Sequence, residues 1–317
     1  MIIEVKDLVT EFKTSRGILK ALDRVSLNVN KGEFVGIVGE SGCGKSTLAY
    51  SIMRLIRKPG RIVSGSIIFE GKDLLKLSEE EMRKIRGKDI GMVFQDPMTS
   101  LDPLERIGDQ FVEMLTEHGV DEEEAEEIAK KSLENVGLPA EMFHNYPHQL
   151  SGGQRQRVVI AMAVAMNPKL LIADEPTTAL DVIVQEKIMD LLEELKKGER
   201  SILLITHDFS LAAERSDKIA VMYAGWIVEY GDAERVVSEP LHPYSAGLIS
   251  SVPDLWLDRE IKPLPGSPPD LVNPPEGCRF RDRCPKAMEI CKKEPVTVSV
   301  GDRIVKCWLY GEGNVES

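Results

Sequence analysis

The sequence predicts an α/β fold with an open, largely parallel sheet, followed by a smaller appendage. Three observations carry this. Short β-branched apolar runs recur along the chain and alternate with helical patterns. One run, residues 33–38 (EFVGIV), leads into the octapeptide GESGCGKS and then a helical pattern at residues 45–56. Another, residues 170–174 (LLIAD), ends in an acid that is followed at once by a second.

At 317 residues and 42% hydrophobic composition, the chain suffices for one large domain plus a small one. The formal charge of −12 and the pI near 5.1 leave no general field for a nucleic-acid backbone, so no nucleic-acid partner is expected. The longest apolar runs fall far short of the roughly 20 residues that span a bilayer. The start, MIIEVKDLVTEF, lacks the pattern of a secretory signal, which leads to an expectation of a cytosolic protein.

Further strands are predicted at residues 66–69, 90–94, 201–206 and 219–223, the last turning through Ala224-Gly225 into residues 226–230 as a hairpin. Residues 95–169 read as helices. The acidic run DEEEAEE at residues 121–127 belongs to one whose other side carries Ile128, Leu133 and Val136, so a solvated face is favoured over an interaction tail. Beyond Glu239 the pattern gives one short helix at about residues 244–251. A proline-rich linker at residues 263–275 follows, too rich in proline for helix or central strand. The domain boundary is placed near Ser238.

The octapeptide matches G-x-x-x-x-G-K-[ST] where the mechanism needs it, after a strand and opening a helix. Its residues Gly39, Ser41, Gly42, Cys43 and Gly44 offer backbone N–H groups to a β-phosphate. Lys45 supplies charge toward the β/γ oxygens, Ser46 a hydroxyl to Mg²⁺, and Thr47 a bond to the α-phosphate. Cys43, near a helix N-terminus, is expected to have a lowered thiol pKa, to react with thiol reagents and to be protected by ATP. At the end of LLIAD, Asp174 is assigned to Mg²⁺ and Glu175 to polarising the attacking water. A solvent-facing acid pair is the alternative. His207, after SILLIT, and Gln95, after residues 90–94, stand at strand ends that converge on the ligand crevice of an open parallel sheet. His207 is placed near the γ-phosphate. Gln95 is placed on the metal and the lytic water; either residue could instead serve as a simple cap.

A second glycine-rich stretch, LSGGQ at residues 150–154, has amide donors but no lysine. The phosphate loop, Gln95, LSGGQ, LLIADEP, Ala179-Leu180-Asp181 and His207 occur together in the order of an ATP-binding cassette, and the chain resembles the ATPase subunit of ABC transporters. The resemblance implies a P-loop NTPase core of the ABC ATPase type with an antiparallel β subdomain and a helical signature subdomain at about residues 96–168. The core would span residues 1–238, and residues 239–317 a small C-terminal cysteine-rich extension. It also implies that Ser151, Gly152, Gly153 and Gln154 cap the γ-phosphate of ATP held by an opposing subunit, with Asp181 communicating between the two sites. A simple helix cap at Ser151 is the alternative. By position, Phe12 resembles the family's adenine-stacking residue; core packing is its alternative.

Cys278, Cys284, Cys291 and Cys307 follow a C-x5-C-x6-C-x15-C spacing, wider than the knuckles of structural zinc sites. Four thiolates suit a [4Fe–4S] cluster, with Zn²⁺ second and disulfides third. Arg279, Arg281, Arg283, Lys286, Lys292 and Lys293 surround them, read either as counter-charges to an anionic cluster or as a solvated basic surface. The tail, HPYSAGLISSVP at residues 242–253 and GSPPDLVNPPEGCRFRDRCPKAMEIC at residues 266–291, looks like the extension of the dipeptide/oligopeptide importer ATPases. That likeness implies the cluster. It also implies a second ATPase subunit, as a heterodimer or a homodimer, two transmembrane permease subunits and an extracytoplasmic solute-binding protein. The chain would then sit peripherally on the cytoplasmic face of the cell membrane, its cytoplasmic loop contacts made by the segment after Gln95. Two other readings compete. A soluble ABC-type ATPase is disfavoured because a single cassette is present and only residues 96–149 separate Gln95 from the signature. A P-loop kinase leaves LSGGQ and His207 unused.

Overall fold

A computed structural model describes residues 1–178, 180–196, 200–251 and 264–311; the positions of Ala179, Val252, Pro253 and Pro263 singled out above lie outside them. The chain opens with a long antiparallel hairpin, β1 (Ile3–Thr14) and β2 (Gly17–Val29). It continues through β3 (Phe34–Val38), β4 (Gly60–Phe69) and a two-residue β5 (Lys72–Asp73). Strands β1, β2, β4 and β5 form a four-stranded antiparallel sheet in the order β2-β1-β4-β5.

The second sheet has eight strands. After β6 (Ile90–Val93) come β7 (Leu170–Asp174), β8 (Ser201–Thr206), β9 (Lys218–Tyr223), β10 (Trp226–Asp232), β11 (Thr297–Val300) and β12 (Arg303–Lys306). They order with β3 as β11-β12-β10-β9-β3-β8-β7-β6. The pairs β3/β8, β3/β9, β7/β8 and β6/β7 are parallel, whereas β9/β10, β10/β12 and β11/β12 are antiparallel. Every residue of β3, β6, β7 and β8 is buried, as expected of parallel strands covered on both faces, and this is why they read as continuous apolar runs.

That register positions the site. Val38 pairs with Thr206, Asp174 with Ile205 and Val93 with Ala173, so the chain leaves β3, β6, β7 and β8 at one edge of the sheet. Residues 39–46, Gln95, Glu175 and His207 all follow directly from those ends.

The helices Ile107–Glu117, Glu122–Asn135 and Gly152–Val164 pack around Ile107, Phe111, Ala129, Leu133 and Ile160. The acidic helix starts at Asp121, whose carboxylate accepts the Glu123 N–H, and Leu133 and Val136 are buried beneath it.

Several boundaries differ from the sequence reading. The helix opening at Lys45 ends at Ile52 rather than residue 56, because Arg54 turns left-handed (φ 52°) and its Nη1 donates to Leu74 O (3.0 Å) and Leu77 O (2.7 Å). Strand β6 stops at Val93, β4 reaches back to Gly60, and the short helix runs Pro243–Ser251. The C-terminal hairpin β11/β12, unforeseen in the sequence, extends the eight-stranded sheet: Glu229 and Tyr230 of β10 pair with Val305 and Ile304. No helix among the described residues is long and apolar enough to cross a membrane.

Candidate nucleotide site

The phosphate loop is shaped by its glycines. Gly39 (φ 155°) and Gly44 (φ 111°) take left-handed backbone that a side chain resists, and a Cβ would come within 2.2 Å of Met222 O at Gly39 and 2.5 Å of Ala21 O at Gly44. Lys45 begins the following helix and is buried, its Nζ donating to Gly39 O (2.7 Å) and Glu40 O (3.2 Å). The loop thus holds its own lysine folded inward against the carbonyls it encircles.

Ser46 Oγ donates to Asp174 Oδ1 at 2.9 Å, while Asp174 Oδ2 is buried with no hydrogen-bond partner. An orphaned carboxylate oxygen beside a hydroxyl is a hard-oxygen donor set, so these two residues fit Mg²⁺. Burial pushes the Asp174 carboxyl up to about 6; the Ser46 hydrogen bond and Lys45 oppose this, and the charge of Glu175 adds to it.

Glu175 is the convergence point. Its backbone is left-handed (φ 46°) and its N–H is fixed to Ile205 O (2.8 Å). Three groups meet its Oε2: Gln95 Nε2 at 2.9 Å, Thr178 Oγ1 at 2.9 Å and His207 Nδ1 at 3.4 Å. The structure therefore brings together the phosphate loop, Gln95, Asp174, Glu175 and His207. Thr178 went unnoticed in the sequence; its only signal was its place two residues beyond the Pro that follows the acid pair.

The signature segment is elsewhere in its contacts. Ser151 and Gln154 satisfy each other in a capping box, with Gln154 N donating to Ser151 Oγ (3.3 Å) and Ser151 N to Gln154 Oε1 (2.9 Å). A Cβ on Gly153 would lie 2.6 Å from Val184 Cγ1, and one on Gly152 3.8 Å from Leu180. The paired glycines thus let this helix start approach the helix Val182–Lys196, whose entry Asp181 caps by accepting Val184 N (3.0 Å). No described hydrogen bond joins Ser151, Gly152, Gly153 or Gln154 to the phosphate loop. Phe12 pairs with Gly60 across β1/β4, its ring where a Gly60 Cβ would stand, 2.5 Å from Phe12 Cε1. It is half-buried there, the packing alternative raised from the sequence.

Cys43 overturns its expectation. It is 4% exposed, and burial raises its thiol pKa, with Lys45 only partly opposing. Its position inside the loop's curve outweighs the helix N-terminus, so the free protein presents no activated thiol there.

The four C-terminal cysteines are free and share one region. Burial pushes Cys278 and Cys307 each up to about 11; Cys291 and Cys284 add to the rise at Cys278, and Cys278, Cys284 and Cys291 to that at Cys307. Among the described residues, however, no three Cys, His, Asp or Glu side chains are set to hold one metal ion, so the expected iron–sulfur ligand set is not shown as such. The basic residues around them are also not a uniform surface. Arg279 and Arg283 are buried, the first paired with Asp23 of β2 and stacked on Trp226, the second paired with Glu40. Their carboxylate partners, not the thiols, account for these two charges.

Comparison with known proteins agrees with this geometry. Residues 22–178 match the family "ABC transporter", and residues 228–291 match "Oligopeptide/dipeptide transporter, C-terminal region". The oligopeptide transport ATP-binding protein OppD of Bacillus subtilis (strain 168) is 50% identical over 97% of this chain and 88% of its own length. The dipeptide transport ATP-binding protein DppD of the same organism is 46% identical over 98% and 95%. Among solved structures, a dimeric bacterial ABC transporter cassette superposes with a TM-score of 0.66 at 34% identity, covering 73% of this chain and 98% of that one. A post-hydrolysis dimer of an ATP-binding cassette bound to ADP and Pi gives the same TM-score at 33% identity. The chain belongs to the ATP-binding proteins of ABC transporters, in the oligopeptide/dipeptide branch.

Proposed function

We propose that this chain is the ATP-hydrolysing subunit of an ABC importer for di- or oligopeptides, working with a second ATPase subunit, two permeases and an extracytoplasmic solute-binding protein. It would sit peripherally on the cytoplasmic face of the membrane. The match of residues 228–291 to the oligopeptide/dipeptide transporter C-terminal region carries the import part of this reading, and the meeting of Gln95, Thr178 and His207 on one oxygen of Glu175, beside the Ser46–Asp174 pair, supports hydrolysis.

In this reading the loop residues Gly39, Ser41, Gly42, Cys43 and Gly44 present their amides to the phosphates, and Thr47 follows on the α-phosphate side. Lys45 leaves its carbonyls to meet the β/γ oxygens. Ser46 and Asp174, with Gln95, would hold Mg²⁺, which neutralises developing phosphate charge. Glu175 takes the proton of the attacking water, kept in orientation by Thr178, while His207 faces the γ-phosphate. Phe12 is the family-based candidate for adenine stacking. Ser151, Gly152, Gly153 and Gln154 act on the nucleotide of the opposing subunit, as the family resemblance implies, and Asp181 links the two sites. ATP-driven closure would do transport work by gripping the permeases differently in the closed and open states.

A second, narrower reading concerns the cysteines. The four thiols are free, and they lie near enough for Cys278, Cys284 and Cys291 to act on Cys307 through charge, which makes them candidates for one shared group. A single zinc ion, with bonds of about 2.3 Å, draws its ligands close together. The larger core of a [4Fe–4S] cluster tolerates the longer C-x5-C-x6-C-x15-C spacing, which with the family likeness is what favours it over zinc. Iron and sulfide content of anaerobically purified protein tests this; stoichiometric zinc without iron would contradict it.

The main reading is tested by assembling the chain with its permeases in lipid vesicles. Peptide-loaded binding protein should stimulate ATP turnover, and Glu175→Gln should abolish it. Turnover indifferent to the permeases, together with recovery of a ribosome or DNA complex, would overturn it.

A further inference from the structure

The phosphate loop is held from behind by the cysteine module. Arg283, the residue before Cys284, is 7% exposed and reaches Glu40 inside the loop with a two-pronged pair, Nη1 to Oε2 at 2.7 Å and Nη2 to Oε1 at 2.9 Å. Two more of its donors are used: Nε bonds Pro265 O (2.7 Å) and Nη1 also reaches Tyr223 Oη (3.3 Å). A planar guanidinium fixed on three sides sets both the position and the rotation of the carboxylate it grips.

Glu40 passes that constraint to the loop. Its N–H donates to Tyr244 Oη at 3.0 Å, and its carbonyl accepts Cys43 N at 3.3 Å and Lys45 Nζ at 3.2 Å. The carbonyl that Arg283 helps place is therefore one of the two that hold Lys45 in waiting. Tyr223, Tyr244 and Phe280 pack against one another with ring centroids 4.5–5.4 Å apart, and Tyr223 and Phe280 flank the buried Arg283 guanidinium at 5.6 and 5.8 Å.

We propose that Arg283 is a positioning residue for the phosphate loop: through Glu40 it sets the loop's shape, and so makes nucleotide affinity depend on the C-terminal cysteine module. This rests on residues 39–46 binding nucleotide. Arg279 supports the same loop less directly, donating to Ala224 O while the adjoining Gly225 N–H bonds Cys43 O (2.8 Å). Arg303, by contrast, ties β12 to Arg235 O (3.0 Å) and Glu239 O (2.5 Å) and touches no loop residue, which makes it the control.

The test is a double-variant cycle on the full chain, read as the Kd of a fluorescent ATP analogue with thermal melting alongside. Arg283→Met should weaken binding about tenfold, as loss of a charge-assisted two-pronged contact allows. Glu40→Gln should weaken it similarly, the double variant no more than either single one, and Arg283→Lys should recover part of the loss. Arg303→Met should lower the melting temperature and leave Kd within about twofold. The proposal fails if folded Arg283→Met binds like the parent, if the two losses multiply, or if Arg303→Met weakens binding equally. Should Arg283→Met not fold, Glu40→Gln decides alone: an unchanged Kd overturns the proposal. A parental chain that binds no analogue refutes instead the nucleotide site itself.

Discussion

The phosphate loop and the signature segment are both glycine-rich helix starts, yet they are built in opposite ways. In the loop, Gly39 and Gly44 adopt left-handed backbone, Lys45 is buried, and Ser46 is committed to Asp174. The signature glycines lie in ordinary helix, Ser151 is exposed and occupied only with its own capping box, and no lysine is present. One cradle holds a buried lysine and a carboxylate oxygen without a hydrogen-bond partner; the other has an exposed serine and two half-buried glycines. On the proposed function, the difference teaches that one helix start serves the chain's own nucleotide and the other an opposing subunit's.

Breaking the furnished cradle should have the largest effects. Glu175→Gln removes the proton acceptor and should lower turnover about a thousandfold in the assembled transporter while leaving nucleotide affinity intact. An unchanged rate would remove Glu175 as base.

Asp174 gives a pH signature. Because its folded pKa of about 6 lies above the ordinary 3.8, the fold favours the protonated acid. That stabilising contribution is complete below pH 3.8 and is lost as pH rises through 6. Asp174→Asn should therefore leave free-protein stability unchanged near pH 4 and raise it by roughly 3 kcal/mol at pH 8, by denaturant unfolding. Mg²⁺-dependent nucleotide affinity of the parent should weaken on acidification below pH 6 and vanish in the variant. A flat pH dependence for parent and variant alike would contradict the burial of this carboxylate.

The signature side is sharpened by Gly153. Alanine there should gain helix propensity of about 0.5–1 kcal/mol but meet Val184 at 2.6 Å, an overpacking cost of about 1–3 kcal/mol, for a net loss of roughly 1 kcal/mol. Val184→Ala in the same chain should reverse the sign, and thermal melting decides. Smallest of all, Thr178→Val removes one of three contacts to Glu175 Oε2 and should slow turnover only severalfold, without shifting nucleotide affinity.

The two cradles were also unequally legible from sequence. The octapeptide and the acid pair could be located because parallel strands covered on both faces read as unbroken apolar runs whose ends lie at one edge. The long β1/β2 hairpin went unseen because its alternation is broken by register shifts between Val5 and Leu8, Leu8 and Thr10, and Thr10 and Glu11. Strands β11 and β12 are four residues each and half solvent-facing, too short for a pattern. Cys43 was misjudged because a helix N-terminus is visible in sequence and the burial opposing it is not. Arg279 and Arg283 read as counter-charges to a cluster or as a solvated basic surface, because their partners, Asp23 and Glu40, lie more than 200 residues away in the chain. Ion pairing at that separation leaves no local trace.

The most direct measurement of this contrast is ATP turnover per chain, followed from dilute isolated protein to the assembled transporter, for the parent and for Ser151→Arg. The account predicts a silent monomer, an active assembly, and loss of the assembly's activity in the variant with its own nucleotide binding preserved. A dilute monomer that hydrolyses ATP at the assembled rate, indifferent to the substitution at Ser151, would contradict it.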